Sequence, residues 1–209
     1  SSMITLYTAS TPNGRKASIA LEELELPYEV VHIDISKGEQ FQAEFLEISP
    51  SNKIPAIVDG DMAMMQSGAI LLYLAEKTGK LAPAYGTAAY WVMMQWMMWQ
   101  MSELGPMLGQ AHHFLKFNRG VSEYAEERYG GEAQRLYRVL NARLEDREFV
   151  VDELSVADIA IWPWVSRFSF QAIDLRDYPN VLEWYMRLAE RPAFQRGYAV
   201  PVDEAIPLP

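Results

Sequence analysis

Ser10-Thr11-Pro12-Asn13-Gly14-Arg15-Lys16 stands between a short apolar run, Met3-Ile4-Thr5-Leu6-Tyr7, and a helix-like run at 17–25. Thr11 followed by Pro12 predicts a helix entry, with a hydroxyl residue at the N-cap and a proline at the first helical position. A strand that feeds a helix start leaves unpaired backbone N–H groups and a partial positive charge facing outward. Such a place suits an anion, whether a phosphate, a carboxylate or a thiolate.

Working outward from that turn, the chain alternates in type. Residues 3–7 predict a strand, 14–24 a helix, 28–34 a second strand and 41–48 a short amphipathic helix or turn. Residues 55–59 and 62–65 flank Gly60-Asp61 and predict a hairpin. Residues 67–78 predict a helix with Ser67 at its N-cap. The order βαβ then ββα implies a small mixed sheet with helices packed on it. Residues 79–86, rich in Gly and Pro, mark a boundary, and helical signals take over beyond them. The expected organisation is a sheet-and-helix domain at 1–80, a linker at 81–86 and an all-helical domain at 87–209.

The first helix of that second domain, at 87–104, is strongly apolar: 12 of the 14 residues from Ala88 to Met101. The run falls short of the ~20 apolar residues that span a bilayer, so no membrane segment is expected. Its methionines fall on two faces, which suits a core and a subunit interface, or else an adaptable apolar pocket. A second long helix is expected at 122–145 and a further one at 178–190, with an irregular tail from 200. Ser155 with Asp158 three residues on predicts a capping box, so Asp158 is read as a structural cap rather than a catalytic acid.

Composition narrows the function. The 209 residues carry a net charge of −10, which argues against a nucleic-acid surface and against docking on anionic lipid. The chain has no cysteine, which removes disulfides, Cys–zinc sites and any protein thiol nucleophile together. His112-His113 are adjacent and diverge on a helix, so no metal site is expected. Met3 opens directly on a strand, so no signal peptide is expected and the cytoplasm is the default location. Ser1-Ser2 reads as a cloning remnant.

With these pieces placed, the chain resembles the cytosolic glutathione transferases over nearly its whole length. Asn52-Lys53-Ile54-Pro55 and Gln66-Ser67-Gly68-Ala69-Ile70-Leu71-Leu72-Tyr73-Leu74 match the family's glutathione-binding motifs, and Ser155-Val156-Ala157-Asp158 matches its capping box. Thr11-Pro12-Asn13-Gly14-Arg15-Lys16, Lys37-Gly38-Glu39-Gln40-Phe41, Ile48-Ser49-Pro50-Ser51-Asn52-Lys53-Ile54-Pro55 and Gly105-Pro106-Met107-Leu108-Gly109-Gln110 are similar to the Nu-class bacterial enzymes. That class is itself similar to the glutathione-dependent disulfide-bond oxidoreductases and to the yeast nitrogen regulator. The resemblance implies an α/β thioredoxin-like N-terminal domain (βαβ–ββα) plus an all-α C-terminal domain, and a homodimer.

The resemblance also implies residue roles. Thr11 would donate its hydroxyl, and Asn13 its amide, to the glutathione sulfur, with Ser10 as a nearby hydroxyl that could substitute. Ile54 before a cis proline would pair with the glutathione backbone as an added strand. Gln66 would accept from the glutathione ammonium, and Ser67 would hold the γ-glutamyl carboxylate at a helix start. Gln40 and Lys53 would meet the glycyl end, and Arg128 would reach glutathione from the helical domain. The implied activity is disulfide reduction by one or two bound glutathiones used as cosubstrate, with no metal. Conjugation to electrophiles, peroxide reduction and a non-catalytic regulatory role are the alternatives.

Overall fold

In the computed structural model, which describes residues 3–209, β1 (Ile4–Thr8) buries Ile4, Leu6 and Thr8 and leaves Thr5 and Tyr7 half-buried. Ser1 and Ser2, read above as a cloning remnant, lie outside the described residues. Around β1 the sheet has the order β2-β1-β3-β4, with β2 at Tyr28–His32, β3 at Ala56–Asp59 and β4 at Met62–Met65. β2 runs parallel to β1, while β3 is antiparallel to both β1 and β4. The pairings Tyr7↔Val31, Tyr7↔Ala56 and Ala56↔Met65 form one row across the sheet. Strand direction then dictates that β1, β2 and β4 end, and β3 begins, along the same edge.

Helix α1 (Pro12–Glu23) starts as its sequence requires, with Thr11 extended at the N-cap and Pro12 opening the helix. A short α2 (Ala43–Ile48) follows β2 after two 3₁₀ turns, and α3 (Ser67–Thr78) follows β4. Ser67 was expected as the cap of α3 but lies one step inside it. The cap is Gln66, whose φ of 77° breaks the helical path, and Gly79 closes the helix in the left-handed conformation.

Backbone contacts divide the chain into two units. The first comprises the residues up to Lys80 together with Glu190–Ile206, and the second comprises Leu81–Ala189 with Pro207–Pro209. The change of unit at Lys80 and Leu81 lies within the Gly- and Pro-rich stretch 79–86, and the segment 190–206, expected in the helical domain, belongs to the sheet-bearing unit. The cause is a packing that composition does not advertise. Helix α9 (Pro192–Tyr198) lies on α1, and a Cβ on Gly197 would come within 2.6 Å of Ile19 Cα. Arg191 pairs with Glu23 at 2.7 Å, and Arg196 with Glu22 at 2.8 Å. Buried Arg15 donates to the Tyr198 carbonyl, stacks over the Tyr198 ring and pairs with Glu204.

The second unit is helical. Helix α4 (Ala88–Trp99) continues through a π-helical turn at Gln100–Leu104 into α5 (Gly105–Ala111) and a second π-helical turn at His112–Phe117. The helix expected to stop at 104 thus runs on through this turn, and Pro106 falls at the start of α5, where a missing backbone donor costs little. Helix α6 (Glu123–Arg143), α7 (Val156–Val165) and α8 (Pro179–Ala189) complete the unit. Every residue of α7 is buried, and Trp162 stacks on Tyr185 with ring centres 5.0 Å apart. Asp158 is the cap it was read to be: it closes the capping box on Ser155 and accepts from Val150 N–H and Trp184 Nε1.

Candidate functional site

The edge where β1, β2 and β4 end and β3 begins collects the sequence-predicted residues of the first unit. Ser10, Thr11 and Asn13 follow β1, and Gln40 follows β2. Lys53 and Ile54 precede β3, while Gln66 and Ser67 follow β4. Residues spread over more than fifty positions of sequence thus share one end of a four-stranded sheet.

Thr11 accepts a hydrogen bond from Gly14 N–H at 3.1 Å through its side-chain oxygen. The oxygen is thereby occupied as an acceptor, and its O–H is left to donate. Gly14 is required for this turn: a Cβ there would lie 2.3 Å from the Ala9 carbonyl oxygen and 2.5 Å from Thr8 Oγ1. Ser10 Oγ is buried with no hydrogen-bond partner among the described residues, and so is Gln40 Oε1. Buried polar atoms of that kind are rare in native proteins and call for a partner.

The Ile54–Pro55 bond is cis, as the resemblance implies. The β3 ladder begins at Ala56, so the backbone groups of half-buried Ile54 stand outside it. Ser67 is buried at the start of α3, where free N–H groups and the helix dipole converge. Its hydroxyl receives a hydrogen bond from Lys16 Nζ at 3.1 Å, and Lys16 is itself fully buried in α1. Burial pushes the Lys16 ammonium well below the usual lysine range. Gln66 and Lys53 are exposed.

Arg128 lies exposed on α6 of the second unit. It lines a cleft of about 430 Å³ with Tyr124, Glu127, Gly131 and Glu132. Its neighbour Glu132 is engaged by Arg135 at 3.0 Å, which holds that carboxyl below its ordinary range.

Comparison with known proteins gives this arrangement its relatives. The family model described as "Glutathione S-transferase, N-terminal domain" matches residues 2–76, and "Glutathione S-transferase, C-terminal domain" matches 123–187. The disulfide-bond oxidoreductase YfcG of Escherichia coli (strain K12) is 51% identical over 199 residues, covering 91% of this chain and 92% of that protein. A glutathione transferase family member from Pseudomonas fluorescens, solved with two glutathione bound, superposes with a TM-score of 0.91 at 40% identity. That match covers 95% of this chain and 93% of the other. A glutathione transferase from Pseudomonas putida, solved with one glutathione disulfide per subunit, gives 0.89 at 38% identity, covering 95% and 92%.

The chain belongs to the glutathione S-transferase family. Its thioredoxin-like first unit and helical second unit are those of glutathione S-transferases. Two residues of this glutathione S-transferase escaped sequence reasoning. Gly14 carries no chemistry, and its need shows only as a close approach of backbone. Lys16 sits in a helical run where a solvated lysine is the ordinary reading, and its partner is 51 positions away. Arg15 and Lys16 standing directly before the mostly apolar stretch 17–21 were the available signal.

The second unit of the transferase holds a further buried polar group. Tyr137 donates to Gln171 Oε1 at 2.6 Å, and Gln171 Nε2 donates to the Trp164 carbonyl at 2.8 Å and meets His112 Nε2 at 2.9 Å. An amide NH₂ only donates, so His112 Nε2 accepts and the ring is neutral with its proton on Nδ1. Burial, aided by the nearby Arg167 charge, pushes His112 down to about 4. His112 is therefore a core residue and His113 a separate one, packed edge-on against Phe114. Among the described residues no three metal-ligating side chains converge, and no helix is long and apolar enough to cross a membrane.

Proposed function

We propose that this chain is a Nu-class enzyme that binds glutathione at the sheet edge and uses it to reduce disulfide bonds. The observation that carries the reading is the Gly14 N–H bond to Thr11 Oγ1, which orients a hydroxyl at a helix start as a donor. Thr11 and Asn13 hold the glutathione sulfur. Ile54 pairs with the peptide backbone, and Ser67 with the α3 N-terminus holds the γ-glutamyl carboxylate. Gln66 accepts from the ammonium, and Gln40 and Lys53 meet the glycyl end. Ser10 Oγ and Gln40 Oε1, buried without described partners, are further groups that a bound peptide would satisfy.

The glutathione thiol has an ordinary pKa near ~8.5, and lowering it by ~2 units takes about 2.7 kcal/mol. Two donors and a helix N-terminus supply that order of energy. The bound thiolate attacks one sulfur of a disulfide, forms a glutathione mixed disulfide and releases the other sulfur as a thiolate, which takes up a proton. A second glutathione thiolate attacks the glutathione sulfur of the mixed disulfide, giving glutathione disulfide and the second thiol product. Two glutathiones are oxidised for each disulfide reduced. With no cysteine in the chain, both thiols come from the cosubstrate. Relatives solved with two glutathiones or with glutathione disulfide match the two ends of that sequence. Cytoplasmic location and a homodimer, seated in part on exposed Trp91 and Met98 of α4, belong to the same reading.

Turnover of hydroxyethyl disulfide with glutathione tests the proposal. The expected result is glutathione-dependent reduction that falls by about two orders of magnitude in Thr11→Ala. Glutathione binding without any disulfide turnover, alongside rapid conjugation of aryl halides, would overturn it.

A further inference from the structure

Lys16 is the charged group beside the candidate carboxylate site that no role above has used. It sits in the second turn of α1, the helix whose first residues are assigned to the sulfur, and its Nζ ends 3.1 Å from Ser67 Oγ at the start of α3. Both side chains are buried, so this contact lies beneath the ligand-facing surface and away from solvent. A lysine is costly to bury unless something there uses its charge or its donors. Ser67 stands where the α3 dipole and free N–H groups already favour an anion.

We propose that Lys16 is a positioning residue that fixes the Ser67 hydroxyl from behind and supplies buried positive charge to the γ-glutamyl carboxylate of glutathione. The inference rests on the assignment of Ser67 to that carboxylate. Lys16 touches Ser67 rather than the ligand, so it acts through the serine and through the field. An arriving carboxylate favours the ammonium form, against the desolvation that opposes it. A charge held in a low-dielectric setting interacts more strongly than one in water, because little solvent screens it. The same lysine ties α1 to α3, so the sulfur end and the γ-glutamyl end of the ligand are set by one pair of helices.

The test is a ligand-deletion cycle on the full chain, read by calorimetric titration. The probes are glutathione and its analogue lacking the γ-glutamyl α-carboxylate, 4-aminobutanoyl-cysteinyl-glycine. The wild-type protein is expected to prefer glutathione by at least about tenfold. In Lys16→Met that preference shrinks to within about twofold, while affinity for the analogue is little changed. Lys16→Arg keeps the preference. Lys16→Gln, which retains a donor without charge, loses it and serves if the methionine variant does not fold. A purely structural lysine would weaken both ligands equally, leaving the preference intact, and that result overturns the inference while the Ser67 assignment stands. Equal binding of the two ligands by the wild-type protein overturns the Ser67 assignment itself, and the inference with it.

Discussion

Gly14 N–H and Thr11 Oγ1, 3.1 Å apart, close the first turn of α1 and leave the threonine hydroxyl as a donor. A methyl group at Gly14 would overlap the Ala9 carbonyl oxygen at 2.3 Å, and that oxygen is backbone, which cannot swing aside. Gly14→Ala is therefore expected to cost about 1–3 kcal/mol of stability and to displace Thr11. The glutathione-dependent rate should fall by at least about tenfold, since small misplacements at a reacting centre are costly. Denaturant melts and disulfide-reduction kinetics on the same preparation check both.

Thr11→Ser and Thr11→Ala separate the hydroxyl from the methyl group. The serine variant keeps an N-cap oxygen and is expected to retain most activity. The alanine variant loses the donor to sulfur. The pH–rate profile for kcat/KM should then shift upward, toward the ordinary thiol value of ~8.5. An alanine profile that overlays the wild type would remove Thr11 from thiolate stabilisation.

These two predictions concern features of unequal visibility. Thr11 was legible as an N-cap because its cue is local, a hydroxyl beside a proline, whereas Ser67, read as the cap of α3, lies one step inside it. Asp158 was legible for the same reason as Thr11, since its capping box spans only the four residues from Ser155 to Asp158. Lys16 was not, since the burial that gives it a partner is set by the packing of α1 on α3. Nor was the place of 190–206, because Gly197 against Ile19 is a steric fit between distant segments and leaves no periodic signature. The two π turns were hidden as well, since their apolar residues continue the pattern of α4.

His112 gives the second unit an acid-sensitive core. The folded ring takes up its proton only near about pH 4, while an unfolded histidine does so near 6.5. As the pH falls through that window the unfolded chain binds more protons, so stability present at neutral pH is lost, by up to about 3 kcal/mol. Asp158, pushed up to about 6 by burial, slopes the opposite way in an overlapping window. Melting temperatures of the wild type and of His112→Asn between pH 7 and pH 4 separate the two. The variant should be less stable at pH 7 and show a shallower acid decline.

Asp158 accepts from Val150 N–H at 2.9 Å, from Ser155 N–H at 3.1 Å and from Trp184 Nε1 at 2.9 Å. Asp158→Ala leaves three buried donors without an acceptor and is expected to cost about 3 kcal/mol or more, judged by urea denaturation. Asp158→Asn keeps one carbonyl acceptor and should cost roughly 1 kcal/mol. Surviving asparagine protein should reduce disulfides at nearly the wild-type rate, because Asp158 takes no part in the chemistry.

The C-terminal segment has a consequence for how the protein comes into being. Glu190–Ile206 belongs to the unit that opens the chain, while Leu81–Ala189 belongs to the other. On the ribosome, the sheet and α1 emerge early but wait for α9, and nearly all of the helical unit is made before that partner arrives. The outer face of α1, which includes the Ile19 backbone and the Arg15 guanidinium, stays uncovered throughout that interval. The whole of 81–189 has to be made before the helix that carries the sulfur-binding turn is clamped on its far side.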